Sequence, residues 1–351
     1  MISKITISDV ARRAGVSAST VSNFLNDRQG QMRPSTQKRI EQAISDLGYK
    51  PNQTARQLKT GFVPVLGLIV PSVANPFYGV FARYVELAAL ELGFKVFLGN
   101  SERDPERERS YADELWSYGV RGVILGSSLT SLAHLNDLIE QGLNVMVFDR
   151  PGQRTHNIPV DSVSVDNVNA ARLATQHLLD LGHRRIAFLS GSIKSINRMD
   201  RLEGYRLALC DANIEPDPAL IWEGSPSTTQ FGDAEAVELG QVGTRQLLSA
   251  ANPPTAIFAI NDMYAFGAYA AARDLGISIP GELSVVGFDD IVLTEIVQPP
   301  LTTIRQPIRE ITRIAVERMI GRIQGSVTGP VEHQSLPATL VVRASTAKLN
   351  P

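Results

Sequence analysis

Hydrophobic positions recur at helical spacing through the first fifty residues and gather into short unbroken runs after residue 64, so the chain predicts two kinds of domain. In residues 6–25, TISDVARRAGVSASTVSNFL, Ile7, Val10 and Ala11 mark one face of a helix and Ala14-Gly15-Val16 breaks it. Ser17 is placed to cap a second helix whose Val21 and Leu25 turn back toward the first. Residues 34–48 predict a third amphipathic helix, with Thr36, Ile40, Ala43, Ile44 and Leu47 inward. From Val65 onward, apolar runs (VLGLIVP, FKVFLGN, GVILGSS, NVMVFDR, VSVDN, RRIAFLSG, TAIFAIND, LSVVGFDD, LTTIRQP, LVVRAST) alternate with helix-like segments. That alternation predicts parallel sheets with helical crossovers; ten runs are too many for one small sheet, and crossover lengths that change near Ser162, Leu293 and Gly325 fit two adjacent doubly wound subdomains better than one large sheet.

The first two helices spell a helix-turn-helix, a unit that fits a DNA major groove. The outward side of its second helix is small and polar: Ala18, Ser19, Ser22 and Asn23 can approach base edges without steric conflict, with the cap Ser17 and Thr20 as further candidate DNA contacts. Charge divides at the same place. Residues 1–60 hold 10 Lys+Arg against 4 Asp+Glu, while residues 61–351 hold 24 against 32, so the total of −2 hides a basic head on an acidic body. Positive charge confined to the head suits phosphate contact, and in physiological salt the acidic body is screened beyond ~8 Å.

With 351 residues and 43% hydrophobic content the chain can form more than one core, and no apolar run reaches the ~20 residues of a membrane span. The start, MISKITISDV, lacks the apolar core of a secretory signal, and the one cysteine, Cys210, has no internal partner; both predict a cytoplasmic protein. Enzyme signatures are missing: there is no G-x-G-x-x-G after a strand, no P-loop, no G-x-S-x-G elbow and no C-x-x-C, and the five histidines show no i, i+4 metal spacing. The expectation is a binding protein with no catalytic residue, cofactor or metal site.

The ordered stretches DVARRAGVSASTVS, LGYKPNQTARQLKTG, PSVANPFYG, LGHRRIAFLSG, RLEGYRLAL, AIFAINDMYAFGA and LSVVGFDD, then PPLTTIRQP, resemble the LacI/GalR family of transcriptional regulators over essentially the whole chain. The resemblance implies an N-terminal all-α helix-turn-helix DNA-binding domain (1–51), a hinge helix (52–61), and an α/β core of two doubly wound parallel-sheet subdomains like periplasmic binding proteins of type 1 (62–351). Boundaries are expected at about 62–162 with 293–324 for one subdomain and 163–292 with 325–346 for the other. The implied partners are double-stranded DNA with a pseudo-palindromic operator, a small-molecule effector and a second copy of the chain. No leucine heptads follow Ser345, so the expected assembly is a homodimer.

For DNA, the resemblance adds Thr6, Arg33, Asn52, Ala55, Arg56, Leu58 and Lys59 to the recognition helix. The polar segment from Gln53 to Thr60 has too little apolar surface to stay helical alone, so its order must come from docking. Leu58 then reads as a wedge that unstacks the central base step, the alternative being a leucine packed on the core. Arg33 stands where a capping serine is frequent, and the loop 27–33 is slightly long for the family.

For the effector, polar residues fall at the carboxyl ends of strands, where open α/β sheets bind ligands: Asn75, Arg150, Asn261, Asp289 and Gln306. Asn197 and Arg201 join them at a helix start, and Phe77 and Tyr78 offer apolar faces to a sugar ring. Asn75 before Pro76 reads equally as a helix cap. The stretch EGSPSTTQFGD is irregular where the family supplies an aromatic wall, leaving Trp222 and Phe231 as candidates. Amides, a carboxylate and guanidinium groups suit vicinal hydroxyls and favour a monosaccharide or related sugar; a purine, a nucleoside or a sugar acid stays open. The expected function is a sequence-specific regulator, a repressor, controlled by that effector.

Overall fold

The computed structural model describes residues 5–25, 32–49, 62–126, 129–150, 160–225 and 235–349. It divides into two compact units, Met1–Val63 and Pro64–Pro351. In the first unit, α1 (Ile7–Ala14) begins where the Asp9 carboxylate accepts from the Thr6 amide at 3.0 Å and from its hydroxyl at 2.7 Å. It ends at Gly15, whose φ of +65° carries no penalty for a residue without Cβ. Ser17 then caps α2 (Ala18–Leu25), its Oγ accepting from the Thr20 amide at 3.1 Å. Pro34 opens α3 (Pro34–Leu47) and Gly48 closes it at φ +60°. Val10, Ala11, Ala14, Val21, Ile40 and Ala43 form the buried centre of the three helices.

The second unit holds two six-stranded sheets. One runs β11 (His333–Leu336), β5 (Asp161–Val165), β4 (Asn144–Phe148), β3 (Gly122–Leu125), β1 (Val65–Val70), β2 (Lys95–Asn100), and all its pairings are parallel. The other runs β12 (Thr339–Val341), β10 (Thr302–Arg305), β9 (Ser284–Asp289), β8 (Ala256–Ala259), β6 (Ile186–Gly191), β7 (Ile221–Gly224), parallel except where β12 meets β10. Central strands are buried throughout, as continuous apolar runs require when helices cover both faces. The helices Ala236–Leu248 and Asp262–Leu275 approach closely enough that a Cβ on Gly267 would lie 2.3 Å from the Val237 carbonyl, which is why glycine sits there.

The chain crosses between the sheets three times, after β5, after β10 and between β11 and β12. The expected boundaries are corrected at each end. Within 293–324, β10 pairs in parallel with β9 and so belongs to the second sheet; only the helix Ile308–Gln324 packs on the first. Within 325–346, β11 pairs with β5 of the first sheet, and within 163–292 the strand β5 itself stays there through Val165. Pairing partners far apart in sequence decide membership, and crossover length does not report them. Two strands had no apolar run to predict them: β7 (IWEG) and β11 (HQSL) are half-covered or exposed edge strands. No described helix is long and apolar enough to cross a membrane.

Candidate functional site

On the first unit, Ser17, Ala18, Ser19 and Asn23 are exposed on and beside α2, and Thr20 and Ser22 are half-buried. The Ser17 hydroxyl sits 2.7 Å from that of Ser19 and 2.8 Å from that of Thr20, so this edge presents hydroxyl groups already oriented by one another. Thr6 is exposed with its hydroxyl held by Asp9, and Arg33 is exposed at the start of α3 without capping it. Arg12, Lys38 and Arg39 are also exposed. The result is a small polar helix face accompanied by cations. The five hinge candidates Asn52, Ala55, Arg56, Leu58 and Lys59 lie outside the described residues, as does Phe231.

In the second unit the carboxyl ends of the two sheets face one another across a cleft. Asn75, Phe77, Tyr78, Arg103 and Asp149 line it from the first sheet; Asn197, Arg198, Arg201, Ile260, Asn261, Asp289 and Gln306 line it from the second and its crossover. It encloses about 20 Å³, scarcely one water molecule, because these side chains fill it by bonding each other. Asp149 accepts from Asn167 at 2.8 Å and from Asn197 at 3.1 Å. Arg201 donates to Asn167 at 2.8 Å and to the Ile260 carbonyl at 2.7 Å, lies 3.8 Å from Asp149, and stacks 3.5 Å over the Phe288 ring. Gln306 donates to Asp289 at 2.7 Å. Asn75 does two things at once: its Oδ1 caps the helix Pro76–Glu91 through the Phe77 amide at 3.0 Å, while its side chain also hydrogen-bonds Asp289. Asn261 caps the helix Asp262–Leu275 through the Tyr264 amide at 3.1 Å.

Burial sets the electrostatics. It pushes the Asp289 carboxyl up to about 7, with Arg201 the strongest opposing influence. It pulls the Arg201 guanidinium down, opposed by Asp289 and then Asp149. Behind the cleft, Asp262 is pushed well up by burial and then by Asp289; it accepts from Thr303 Oγ1 at 2.6 Å and from the Ile291 amide at 3.0 Å, fixing the turn that carries Asp289. Non-glycine residues with positive φ gather at this cleft: Arg103 (+56°), Asp149 (+62°) and Asp289 (+120°) all line it. Each such conformation costs ~1–3 kcal/mol and persists where the surrounding fold enforces it, commonly at binding sites.

Arg150 is a correction. It does not line this cavity; its guanidinium donates to the carbonyls of Leu129 (2.5 Å) and Thr130 (3.1 Å). Asp149, one residue earlier and just past the end of β4, takes the inward position on a left-handed backbone (φ +62°). Trp222 is turned away as well, its indole donating to Gln246 at 2.6 Å beside Gly224 and Gly243. The sequence reading missed Arg103, whose only signal was its place just beyond β2. A larger groove of about 900 Å³ along the helices Pro76–Glu91 and Ile308–Gln324 touches the cleft at Asp289 and Gln306. Its arginines 83, 305, 309 and 313 are exposed and share it with Glu91, Asp290 and Glu310, so buried convergent chemistry belongs to the smaller cleft.

Residues 6–52 match the family described as bacterial regulatory proteins, lacI family, and residues 175–346 match the periplasmic binding protein-like domain. The HTH-type transcriptional regulator DegA of Bacillus subtilis (strain 168) is 35% identical over 347 residues, 99% of each chain. Among solved structures, a complex of the transcriptional regulator CelR with cellobiose is similar with TM-score 0.70 and 32% identity, over 97% of this chain and 99% of that one. The lac repressor dimer bound to operator and the anti-inducer ONPF is similar with TM-score 0.82 and 28% identity, over 98% and 99%.

Proposed function

The chain belongs to the LacI family of bacterial regulatory proteins, and from that premise we propose that it is a cytoplasmic homodimeric repressor of a pseudo-palindromic operator, released or tightened by a sugar bound in the cleft. It is a DNA-binding transcriptional regulator. The observation that carries the effector reading is the set of bonds that bridge the two sheets through the cleft: Asn197 to Asp149, Arg201 beside Asp149, and Asn75 with Asp289. A polyhydroxylated ligand can take over each of these, because a hydroxyl both donates and accepts, and Phe77 and Tyr78 supply ring-sized apolar faces. Exchanging bridges between subdomains for bonds to a ligand changes which arrangement of the two sheets is favoured. Whatever arrangement DNA also prefers or opposes is thereby coupled to the ligand. The cellobiose held by CelR supports a sugar as the class.

DNA reading falls to α2, with Asn23 the side chain of choice for a base edge and Arg33, Lys38 and Arg39 for phosphates. The hinge segment, with Arg56, Lys59 and the wedge Leu58, completes the interface in this proposal. Selection from a randomised DNA pool should enrich a pseudo-palindrome, and Asn23→Ala should change the preferred base at one position of each half-site, a discrimination of ~1–3 kcal/mol. If Asn23→Ala instead weakens all sequences equally, it contacts backbone and the base-reading role is wrong.

A second copy is assigned to the edge of the first sheet. There β2 ends the strand order with Phe97 and Leu98 each more than half exposed, and Leu87, Leu90 and Leu92 are exposed nearby. An apolar edge of this kind is a liability unless covered, and the lac repressor relative is a dimer. Phe97→Asp is expected to shift the protein to monomer in sedimentation equilibrium and to cut operator affinity by more than about tenfold, since two half-sites are no longer held by one molecule. A Phe97→Asp protein that stays dimeric places the interface elsewhere.

A further inference from the structure

Asn167 belongs to the first of the three crossings between the sheets. It follows β5, which ends at Val165, and opens the helix Asn167–Asp180 that lies against the strands of the second sheet. The helix does not need its side chain, because Asp166 is the cap: its Oδ1 accepts from the Asn169 amide at 3.0 Å. The Asp166 amide in turn donates to the Leu336 carbonyl at 3.0 Å, which ties the first crossing to the third.

The Asn167 side chain, 2% exposed, is spent on the two walls of the cleft. Its Nδ2 donates to Asp149 Oδ1 at 2.8 Å on one wall, and its Oδ1 accepts from Arg201 Nε at 2.8 Å on the other. The amide therefore links a carboxylate to a guanidinium that stand 3.8 Å apart, too far for a hydrogen bond of their own. Asp149 is gripped twice, through Oδ1 by Asn167 and through Oδ2 by Asn197 at 3.1 Å. The two amides differ in one respect: Asn197 lines the cavity and Asn167 does not. A ligand in the cavity meets the first grip and leaves the second intact.

Asn167 also stands on a rigid piece of the second wall. Its neighbour Val168 lies so close to the helix Ile196–Asp211 that a Cβ on Gly204 would be 2.1 Å from the Val168 carbonyl oxygen. That helix carries Asn197 and Arg201, and Arg201 is anchored to the second sheet through the Ile260 carbonyl at 2.7 Å. Asp149 is the member of this cluster that belongs to the first wall, just beyond β4, with its amide bonded to the Val163 carbonyl of β5 at 3.0 Å.

We propose that Asn167 is the positioning residue on which the cleft pivots: it keeps hold of Asp149 on one wall and Arg201 on the other while Asn197 gives up Asp149 to the effector. One bond to the carboxylate is exchangeable and the other permanent, so the walls turn about a fixed point instead of separating, and ligand occupancy becomes one defined rearrangement of the two sheets. Small angular changes about a few residues at element ends are how paired subdomains close on ligands. The proposal rests on the cleft being the effector site of a sugar-responsive regulator.

The test uses the full-length protein, with calorimetric titration of D-galactose, D-ribose and cellobiose and with operator affinity measured by anisotropy with and without each sugar at saturation. Asn167→Ala should weaken a sugar that binds the parent by roughly 10- to 150-fold, the value of one charge-assisted hydrogen bond. It should also bring the ratio of operator affinities with and without saturating sugar to within about twofold of one, a readout that lost stability alone would not move. Asn167→Asp, which keeps an acceptor for Arg201 and loses the donor to Asp149, is the second variant and should lower the same ratio. Combined with Asp149→Asn, Asn167→Ala should reduce the ratio no further than the stronger single change, since both act through one bond. In the parent protein, which requires no variant to fold, hydrogen exchange over residues 166–169 should change less than twofold on adding sugar while residues 75–78 and 289–291 slow. A ratio left intact in the Asn167 variants, or exchange at 166–169 that shifts as much as the cleft does, would overturn the pivot and leave the sugar reading standing. A parent protein that binds none of the three sugars, or whose operator affinity ignores them, would remove the sugar reading and the pivot together.

Discussion

A protein lacking residues 1–63 is expected to lose all specific operator binding and to keep its effector affinity within about threefold. The first unit contains its own buried centre, and every residue lining the cleft lies between Asn75 and Gln306, in the second unit. The charges separate with the units as well, since 10 basic residues against 4 acidic fall in the first sixty positions. What remains after the deletion is an acidic body with no helix to place in a groove, and phosphate contact supplies most of the affinity of such proteins for DNA. Anisotropy with labelled operator and calorimetry with the effector measure the two halves. Residual sequence-specific binding by the truncated protein, or a collapse of effector affinity, would contradict the separation of roles.

Asp289→Ala is expected to weaken the effector by roughly 10- to 150-fold while the regulator still recognises its operator, because a charged acceptor of ligand hydroxyls is lost and nothing on the DNA-reading unit is touched. The alanine also removes a counter-charge of Arg201, whose other carboxylate partner stands 3.8 Å away, and breaking a buried pair costs ~3–5 kcal/mol of stability. Asp289→Asn is therefore the companion variant, keeping an acceptor for Gln306. It has a distinct signature in pH. The folded-state carboxyl sits at about 7 against 3.8 for the free group, so between those values the folded protein holds a proton that the unfolded chain has released. Stability from this group is therefore fully present below about 3.8 and is lost as pH rises through 7. Asp161 and Asp290, held low by Arg318, Arg322, Arg305 and Arg343, act in the opposite sense and only below 3.8. Asp289→Asn should thus lose less stability than the parent between pH 5 and pH 8 in urea titrations. Parallel pH profiles would show that Asp289 is not a buried, proton-holding carboxyl.

The helix-turn-helix was legible because its signals are local: a capping Ser17, a left-handed Gly15 and apolar residues at helical spacing lie within twenty positions. The central strands were legible for a similar reason, since burial on both faces leaves an unbroken apolar run. Edge strands β7 and β11 bury too little to leave one. Which sheet receives β10 or β11 depends on pairing across up to 171 residues, as between Ser162 and His333, and no local pattern carries that. In the cleft, strand-end positions drew attention to Asn75, Asn261, Asp289 and Gln306, and all four line the cavity. The same rule picked Arg150 over Asp149 because it does not say which of two neighbours turns inward. Arg103 was invisible because it reaches the cavity through a left-handed backbone that its residue type does not predict.

The triple crossing between the sheets bears on the order in which the molecule becomes complete. The first sheet needs β11, whose last residue is Leu336, and the second needs β12, ending at Val341, so neither sheet is finished until nearly the whole chain exists. The three-helix head, by contrast, has all of its buried centre by Ala43. During synthesis the means of holding DNA therefore emerges some three hundred residues before the last strand of the regulatory core. A chain interrupted at residue 332 would carry the full head and every residue that lines the cleft, with β5 unpaired along one edge of the first sheet.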